Sequence, residues 1–348
     1  MPRIRTALAV LTAGAALVLT GCSTAATATP DASAGSSAGA ADAGAFPVTI
    51  ANAFGETTIE SQPERVVTVD WGNQEAALAL GVVPVAMPKV TWGDEDGDGL
   101  LPWVKDKLDE LGAATPTLMD ETNGYDYEAI ADAKPDVILA AYSGMTQEQY
   151  ETLSKIAPVV TYADVAWGTT WQDMTLTNAK ALGLESEAET LVSDLEAHAT
   201  EVMSQYPAAG ESALFTSFDP TDMSTIGFYS TLDPRPSYLA EVGLEPAKAV
   251  SSASEGSETF WFTQSTENIE DFSDVRVIVG YGSDDTLATL QADPLWSRIP
   301  AVASGAVAVL DSDSTIAAAA NPSPLSIGST YGDEYLKLVG EAAQKAAA

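Results

Sequence analysis

The stretch from Trp171 to Tyr206 constrains the fold more than any other, because it contains a single strong helix breaker, Gly183. Apolar residues recur along it at helical spacing, at Leu182, Leu191, Leu195 and Val202. This pattern predicts one long helix, with residues 183–185 as the place for a break. A helix of this length between two segments of different character predicts a bilobed protein with a helical connection.

Both segments beside this helix alternate between strand and helix patterns. In the first, strands are predicted at residues 65–70, 82–87, 136–142 and 158–162, and helices at 73–80, 127–133 and 147–157. In the second, strands are predicted at 212–217, 275–281 and 306–311, and helices at 237–241, 286–291 and 333–344. Near-continuous apolar runs are typical of strands buried in a parallel sheet. We therefore predict an α/β protein with lobes at residues 46–168 and 207–348, joined by a helix over 169–206.

The two halves also echo each other in sequence. KPDVILAAYSG, residues 134–144, has the shape of SDVRVIVGYGS, residues 273–283. PVVTYAD, residues 158–164, has the shape of AVAVLDS, residues 306–312. The echo is weak, but it favours two lobes of similar construction.

The N-terminus is predicted to be an export and anchoring signal. Arg3 and Arg5 precede an apolar run that is too short to span a bilayer comfortably, which is typical of a signal peptide over residues 1–21. The run ends in LTGC, which resembles a bacterial lipobox and predicts a lipid on Cys22. Residues 22–45 have almost nothing to bury and predict a disordered tether. We expect the folded part to be held at the outer face of the cytoplasmic membrane; a secretory signal with an incidental cysteine is the alternative.

Charge and composition argue against several functions. The chain has 50 acidic and 15 basic residues, a formal net charge of −35, which opposes binding to the phosphates of a nucleic acid. His198 is the only histidine and Cys22 the only cysteine, which argues against a zinc or manganese site and makes a disulfide impossible. The only G-x-S-x-G sequence, residues 35–39, lies in the predicted tether, where no nucleophile elbow forms. An extracellular hydrolase and a purely structural surface protein are the distant alternatives.

The segment TWGDEDGDGLLPWVKDKL, residues 91–108, has half of a calcium-loop pattern. Asp94, Asp96 and Asp98 occupy the first, third and fifth positions, but the sixth-position glycine is followed by Lys105 at the twelfth, where a bidentate glutamate belongs. Pro102 is expected to break any helix that leaves the loop. We therefore expect a loop at the edge of a cleft, in contact either with a basic arm of a ligand or only with solvent.

Several motifs together resemble substrate-binding lipoproteins of the ABC importers that take up ferric siderophores, haem and cobalamin. Besides the long helix, they are PERVVTVDWGNQEAALALGVVPVAM (63–87), YDYEAIADAKPDVILAAYSG (125–144), DPRPSYLAEVGL (233–244) and STENIEDFSDVRVIVGYG (265–282). The resemblance covers residues 46–345 and points to the siderophore branch; residues 94–104 and 225–244 are typical of its actinobacterial members. It implies Rossmann-like lobes, a ligand between them, a limited hinge motion and no enzymatic activity.

Aromatic residues after the predicted strands are the candidate walls of that cleft, because open α/β sheets bind ligands at such turns. They are Trp71, Trp92, Tyr142 and Trp167 in the first lobe, and Phe218, Tyr229, Trp261 and Tyr281 in the second. The alternative for each is simple packing. The resemblance favours Trp71, Tyr142 and Arg235, which match positions that line the cleft in hydroxamate-binding relatives.

Arg235 is a candidate donor to the ligand because arginine is scarce. Beyond the signal peptide the chain has four, and Arg235 alone lies in a rigid loop between two prolines. A triply anionic catecholate complex would need several such cations. The sequence therefore favours a neutral or cationic hydroxamate complex, with its iron saturated by the chelator, no cofactor and no metal ligand from the protein. Haem and cobalamin are the closer alternatives.

The resemblance also implies a docking site for the permease dimer. Two surface carboxylates on opposite lobes perform this role in the class, and by motif position they are Glu128 and Glu267. Two negative groups at a fixed separation set the orientation on a symmetric partner. We expect a monomeric binding protein; solvated surface glutamates are the alternative.

Overall fold

Two parallel β-sheets, one in each half of the chain, organise the fold. The computed structural model describes residue 42, residues 44–206 and residues 210–348. The predicted signal peptide, Cys22 and most of the predicted tether lie outside the described residues. In the described part, no helix combines the length and apolar character that crossing a membrane requires.

The first sheet has five parallel strands in the order β5-β4-β3-β6-β7. Its strands are β3 (Val66–Thr68), β4 (Ala86–Pro88), β5 (Thr117–Met119), β6 (Val137–Ala140) and β7 (Val159–Thr161). An antiparallel hairpin of β1 (Val48–Asn52) and β2 (Gly55–Ile59) precedes it. Its helices are α1 (Asn73–Ala79), α2 (Pro102–Glu110), α3 (Tyr127–Asp132) and α4 (Gln147–Leu153).

The second sheet has four parallel strands in the order β10-β8-β12-β13. They are β8 (Ser212–Ser217), β10 (Glu245–Pro246), β12 (Val277–Gly282) and β13 (Val307–Asp311), and β9 (Thr225–Tyr229) pairs separately with β11 (Trp261–Ser265). The helices are α7 (Pro234–Glu241), α8 (Lys248–Ser254), α9 (Thr286–Ala292) and α10 (Pro300–Ser304), with short 3₁₀ helices at Thr266–Phe272 and Trp296–Arg298. The similarity between the two halves is confirmed. The matching segments form the parallel pairs β6–β7 in the first sheet and β12–β13 in the second.

The predicted connecting helix is interrupted. It consists of α5 (Trp171–Leu182) and α6 (Glu185–Met203), and the break falls within the residues that the sequence indicated. Gly183 ends α5 in the left-handed region with φ of 72°, which glycine adopts without the steric cost of a Cβ. Helix α5 packs against α1 and the first sheet.

The chain crosses back to the first lobe near its end. Three helices follow β13: α11 (Thr315–Ala319), α12 (Pro324–Ile327) and α13 (Thr330–Ala347). Ala318 and Ala319 are buried in one apolar cluster with Met87 and Trp103 of the first lobe, while α13 packs against α6 and the second sheet. Within residues 315–327, which the sequence assigned to the second lobe, Ala318 and Ala319 therefore belong to the core of the first, whereas Ala317, Ala320 and Ile327 are buried in the core of the second.

One local prediction is wrong. Pro102 was expected to break a helix, but it is the first residue of α2. Proline is favoured at this position because its missing N–H would have no partner in the first turn, and its fixed φ is already helical.

Candidate ligand-binding cleft

The carboxyl ends of β3 and β6 are held together by Asn73, which is buried at the start of α1. Its Nδ2 donates to the carbonyls of Val69 and Tyr142, both at 2.9 Å, and its Oδ1 accepts from the N–H of Tyr142 at 3.2 Å. Asn178 of α5 also donates to that oxygen, at 3.0 Å. This network fixes the two turns that present Trp71 and Tyr142.

Trp92 bridges the lobes. Its ring centroid lies 5.5 Å from that of Trp71 in its own lobe and 5.5 Å, edge to face, from that of Tyr281 in the other. Its indole N–H donates to the carbonyl of Ser312 in the second lobe at 2.5 Å. Three predicted cleft residues therefore form a continuous aromatic row across the boundary.

Tyr142 and Trp167 form a second aromatic pair, edge to face at 5.2 Å. The indole lies so close to Gly144 that a Cβ there would be 2.2 Å from Nε1, so the ring position depends on that glycine. The Tyr142 hydroxyl accepts from Asn321 at 3.4 Å. Burial, together with the negative charge of Asp233 from the other lobe, raises the pKa of this phenol well above its usual range.

Aromatic rings also surround Arg235 in the second lobe. The Tyr229 ring lies 4.7 Å from Trp261 and 5.6 Å from Phe215, which in turn lies 5.3 Å from Tyr281. The guanidinium carbon of Arg235 sits 4.0 Å from the centroid of Tyr229, a cation–π contact. Burial raises the pKa of Tyr281 to about 12. The candidates Tyr229, Arg235, Trp261 and Tyr281 thus lie close together, although Tyr229 and Trp261 belong to the β9–β11 pair and not to the parallel sheet.

Arg235 has a partner that the sequence analysis missed. Its Nε and Nη2 donate to the two carboxylate oxygens of Asp233, both at 2.7 Å, and the Asp233 side chain is fully buried. Nη1 points to the Tyr281 hydroxyl at 3.5 Å. The guanidinium is therefore neutralised and held in one orientation, with Nη1 directed at the boundary between the lobes.

A cavity of about 350 Å³ lies between the end of β7 and the first turns of α5, and neither Arg235 nor the aromatic rings around it line it. Residues 161–165 and 168–169 of the first lobe line most of it, and Leu232, three residues before Arg235, lines it from the second lobe. Its size falls in the range of small-molecule sites, roughly 300–1,000 Å³. Material held there would contact both lobes.

The acidic loop is closed by its own lysine. Nζ of Lys105 lies 3.2 Å from Asp96 and also contacts Asp98, while the Asp94 carboxylate accepts from the N–H groups of Gly97 and Gly99 at 2.9 and 2.7 Å. The three carboxylates approach one another closely enough for a metal, but the ammonium group takes the position of the cation. Glu95 accepts from the N–H of Thr315 at 2.8 Å, so this loop lies against the second lobe.

Two carboxyl groups lie next to Trp71. Glu121 accepts from the N–H of Asp70 at 2.9 Å, and the Tyr125 hydroxyl donates to Asp70 at 2.5 Å. Burial raises the pKa of Asp70 to about 6, and burial together with the charge of Asp70 raises that of Glu121 to about 8. The pair therefore retains one proton at neutral pH. No motif in the sequence indicated this pair.

Glu75 is fully buried and links the lobes' helices. Its Oε2 accepts hydrogen bonds from the Trp103 indole at 2.6 Å and from the Ser323 hydroxyl. These partners lie on α2 and at the start of α12, so one carboxyl group joins α1 to the returning segment. Burial raises the pKa of Glu75 to about 7, although both donors oppose the shift.

Glu75→Gln is expected to remove part of the pH dependence of stability. The pKa rises from 4.5 in an unfolded chain to about 7, so the folded state keeps a proton that the unfolded state releases, and the free energy of unfolding falls as pH rises through this range. The fall attributable to Glu75 is about 3 kcal/mol. Glutamine retains an acceptor, and urea denaturation at about pH 5 and about pH 8 should give a flatter profile than in the parent protein.

Glu189→Gln is the control, because Glu189 is exposed on α6. It should leave the profile of the parent protein unchanged. Parallel profiles for the parent protein and Glu75→Gln would contradict the assigned role of this buried carboxyl group.

The two predicted docking glutamates are exposed. Glu128 lies in the first turn of α3 in the first lobe, and Glu267 in the first turn of the 3₁₀ helix Thr266–Phe272 in the second. Each therefore presents a carboxylate to solvent from a short helix whose N-terminal turn favours negative charge.

A family model described as "Periplasmic binding protein" matches residues 66–314, most of both lobes. The chain belongs to this family. Its members are solute-binding proteins and not enzymes, which confirms the expectation that the chain has no enzymatic activity. A crystal structure of PiaA from Streptococcus pneumoniae TIGR4 in complex with ferrichrome superposes on this binding protein with a TM-score of 0.81; it is 40% identical and covers 86% of this chain and 99% of its own.

Curated relatives agree with this assignment. The probable siderophore-binding lipoprotein YfiY of Bacillus subtilis is 27% identical over 282 residues, 74% of this chain and 78% of its own. The iron(3+)-hydroxamate-binding protein FhuD of Escherichia coli is 26% identical over 256 residues, 70% of this chain and 78% of its own. The binding protein is therefore similar along most of its length to a probable siderophore-binding lipoprotein and to an iron(3+)-hydroxamate-binding protein.

Proposed function

We propose that this chain captures a ferric siderophore outside the cell and delivers it to an ABC permease. The observation that carries the proposal is the aromatic site at the lobe boundary, with Arg235 at its centre. Its aromatic rings and single oriented guanidinium suit a bulky complex whose iron is already saturated by a chelator. Ferrichrome in the complex of PiaA and hydroxamate in the name of FhuD support a hydroxamate ligand.

The polarity of the site supports the same ligand class. Arg235 is the one basic residue of the proposed site, and Asp233 already balances its charge. A ferric catecholate would bring several negative charges into a protein with a net charge of −35. A neutral or cationic hydroxamate complex adds no negative charge, so electrostatic repulsion does not oppose its binding.

The proposal also includes the attachment of the protein to the membrane and its contact with the permease. We propose that Cys22 carries the lipid anchor at the outer face of the cytoplasmic membrane, and that Glu128 and Glu267 contact the permease. The lipoprotein relatives support the first, and the exposed position of both carboxylates supports the second. The segment DEDGDGLLPWV supports an actinobacterial origin.

Tryptophan fluorescence tests the ligand class. Titration with ferrichrome, ferrioxamine, ferric citrate, a ferric catecholate, haem and cobalamin is expected to give saturable quenching with the hydroxamates, because Trp71 and Trp92 lie at the boundary. Trp71→Ala should weaken binding at least tenfold, about 1.4 kcal/mol.

Trp103→Phe is the matched control, since Trp103 lies on the buried face of α2 and donates to Glu75. It should bind as the parent protein does. Quenching by haem or cobalamin alone would overturn the siderophore assignment. Absence of quenching by all six compounds would overturn ligand capture as a whole.

A further inference from the structure

The second lobe has a pocket of its own, separate from the cavity beside Trp167. It lies between the antiparallel β9–β11 pair and α9, and its volume is about 210 Å³. That is below the range of roughly 300–1,000 Å³ typical of whole small-molecule ligands. It therefore suits one arm of a ligand and is too small for a globular iron complex.

Aromatic side chains form the walls of this pocket. Trp261 and Trp296 line it together with Phe218, whose ring lies 6.0 Å from that of Trp296. The Trp261 indole lies against Gly227 of β9. It can do so only because residue 227 has no side chain, since a Cβ there would be 2.2 Å from the ring. The indole nitrogen of Trp296 is engaged with the carbonyl of Met223 at 3.1 Å, which fixes this wall.

The rim carries only negative charge. Asp219, Asp222 and Asp285 line it, and none of the described residues that line it is basic. Hydrogen bonds from Thr221 to Asp219 and from Ser224 to Asp222 lower the pKa of both carboxyl groups, so they stay ionised. Each of these bonds uses one carboxylate oxygen, Oδ1.

The pocket adjoins the site at the lobe boundary. Trp261 lines the pocket and also packs on Tyr229, on whose face Arg235 lies. On the other side, the N–H of Phe218 donates to the carbonyl of Tyr281 at 2.9 Å. The pocket and the proposed ligand site are therefore separated by a single layer of side chains, which includes Trp261 and Phe218.

We propose that this pocket binds a protonated primary amine at the end of an apolar arm of the ferric siderophore. The inference rests on the proposed function and deepens it, because it selects cationic hydroxamate complexes over neutral ones. The two indoles and Phe218 cover the apolar arm, and an ammonium group is attracted both by aromatic faces and by the three aspartates. A neutral or anionic arm of the same length gains only the apolar contacts.

A pair of probes that differ in one charge tests this. Ferrioxamine B ends in a free ammonium group, and N-acetyl-ferrioxamine B has the same iron centre with that charge removed. The parent protein is expected to bind the amine form about tenfold more tightly in fluorescence titrations at low salt. The double variant Asp219→Asn/Asp285→Asn should lose most of this preference, because only Asp222 and the aromatic faces then attract the ammonium group, and its affinity for the acetylated form should be unchanged.

Asp284→Asn is the matched control, because Asp284 is exposed beside Asp285 but does not line the pocket. It should keep the preference of the parent protein. Equal affinity of the parent protein for both probes, or a preference that is undiminished in the double variant, would overturn the pocket assignment while leaving siderophore capture intact. Binding of ferrichrome without binding of either probe would also overturn the pocket assignment and leave siderophore capture intact. Absence of binding to any iron complex would instead overturn the proposed function and the pocket assignment with it.

Discussion

Arg235→Ala is expected to lower the free energy of unfolding by about 3 kcal/mol and to abolish ligand binding. The loss of stability follows from Asp233, whose fully buried carboxylate would lose both of its charged hydrogen bonds. Binding is lost because the ordered guanidinium between Tyr229 and Tyr281 is the proposed donor to the ligand. Urea denaturation measures the first effect, and fluorescence titration with a ferric hydroxamate measures the second.

The double variant Asp233→Asn/Arg235→Met separates the two effects. It removes both charges together, and asparagine retains the N-cap of α7, where Asp233 accepts from the N–H of residue 235. Its stability should lie much closer to that of the parent protein than the stability of Arg235→Ala does. Its ligand binding should still be lost. Normal binding by this variant would remove Arg235 from the site.

The Glu128→Ala/Glu267→Ala variant is expected to lose siderophore uptake by at least about tenfold while binding its ligand normally. Both carboxylates are exposed and belong to opposite lobes, so their removal leaves the cleft untouched. Uptake of radiolabelled iron as a ferric hydroxamate, in cells that lack their own copy, measures the effect. Fluorescence titration of the purified variant confirms that the ligand site is intact.

Glu189→Ala/Glu201→Ala provides the charge-matched control. Both glutamates are exposed on α6, and their removal changes the net charge by the same amount. This variant should transport as the parent does. Equal loss of uptake in both double variants would indicate a general effect of charge, and would contradict a docking role for Glu128 and Glu267.

Periodicity predicted the regular elements well because each depends on nearby residues. Strands such as β8 begin and end where the apolar run does, and α5 ends at the glycine that the sequence contains. Periodicity did not predict the β1–β2 hairpin, β5 or the β9–β11 pair; the strands of the last lie far apart in the chain and no tight turn joins them. Pro102 was misread because proline breaks a helix interior but favours its first turn.

The site was partly visible in the sequence, since aromatic residues after buried strands meet at one edge of a parallel sheet. The structure brings the predicted residues together, from Trp71 to Tyr281, and their contact with a ligand stays a prediction. Asp233 could have been found, because it lies two residues before Arg235 at a helix start. The partners of Glu75 and Glu121 could not, because burial and distant contacts define them and no local pattern records either.

The burial of Ala318 and Ala319 in the core of the first lobe affects the order in which the molecule can fold. Ribosomal synthesis produces Met87 and Trp103 long before Ala318 and Ala319, with which they share a core. The first lobe must therefore wait, with apolar surface uncovered, until almost the whole polypeptide has emerged. A nascent chain of this kind therefore keeps part of its first lobe unfolded until translation is nearly complete.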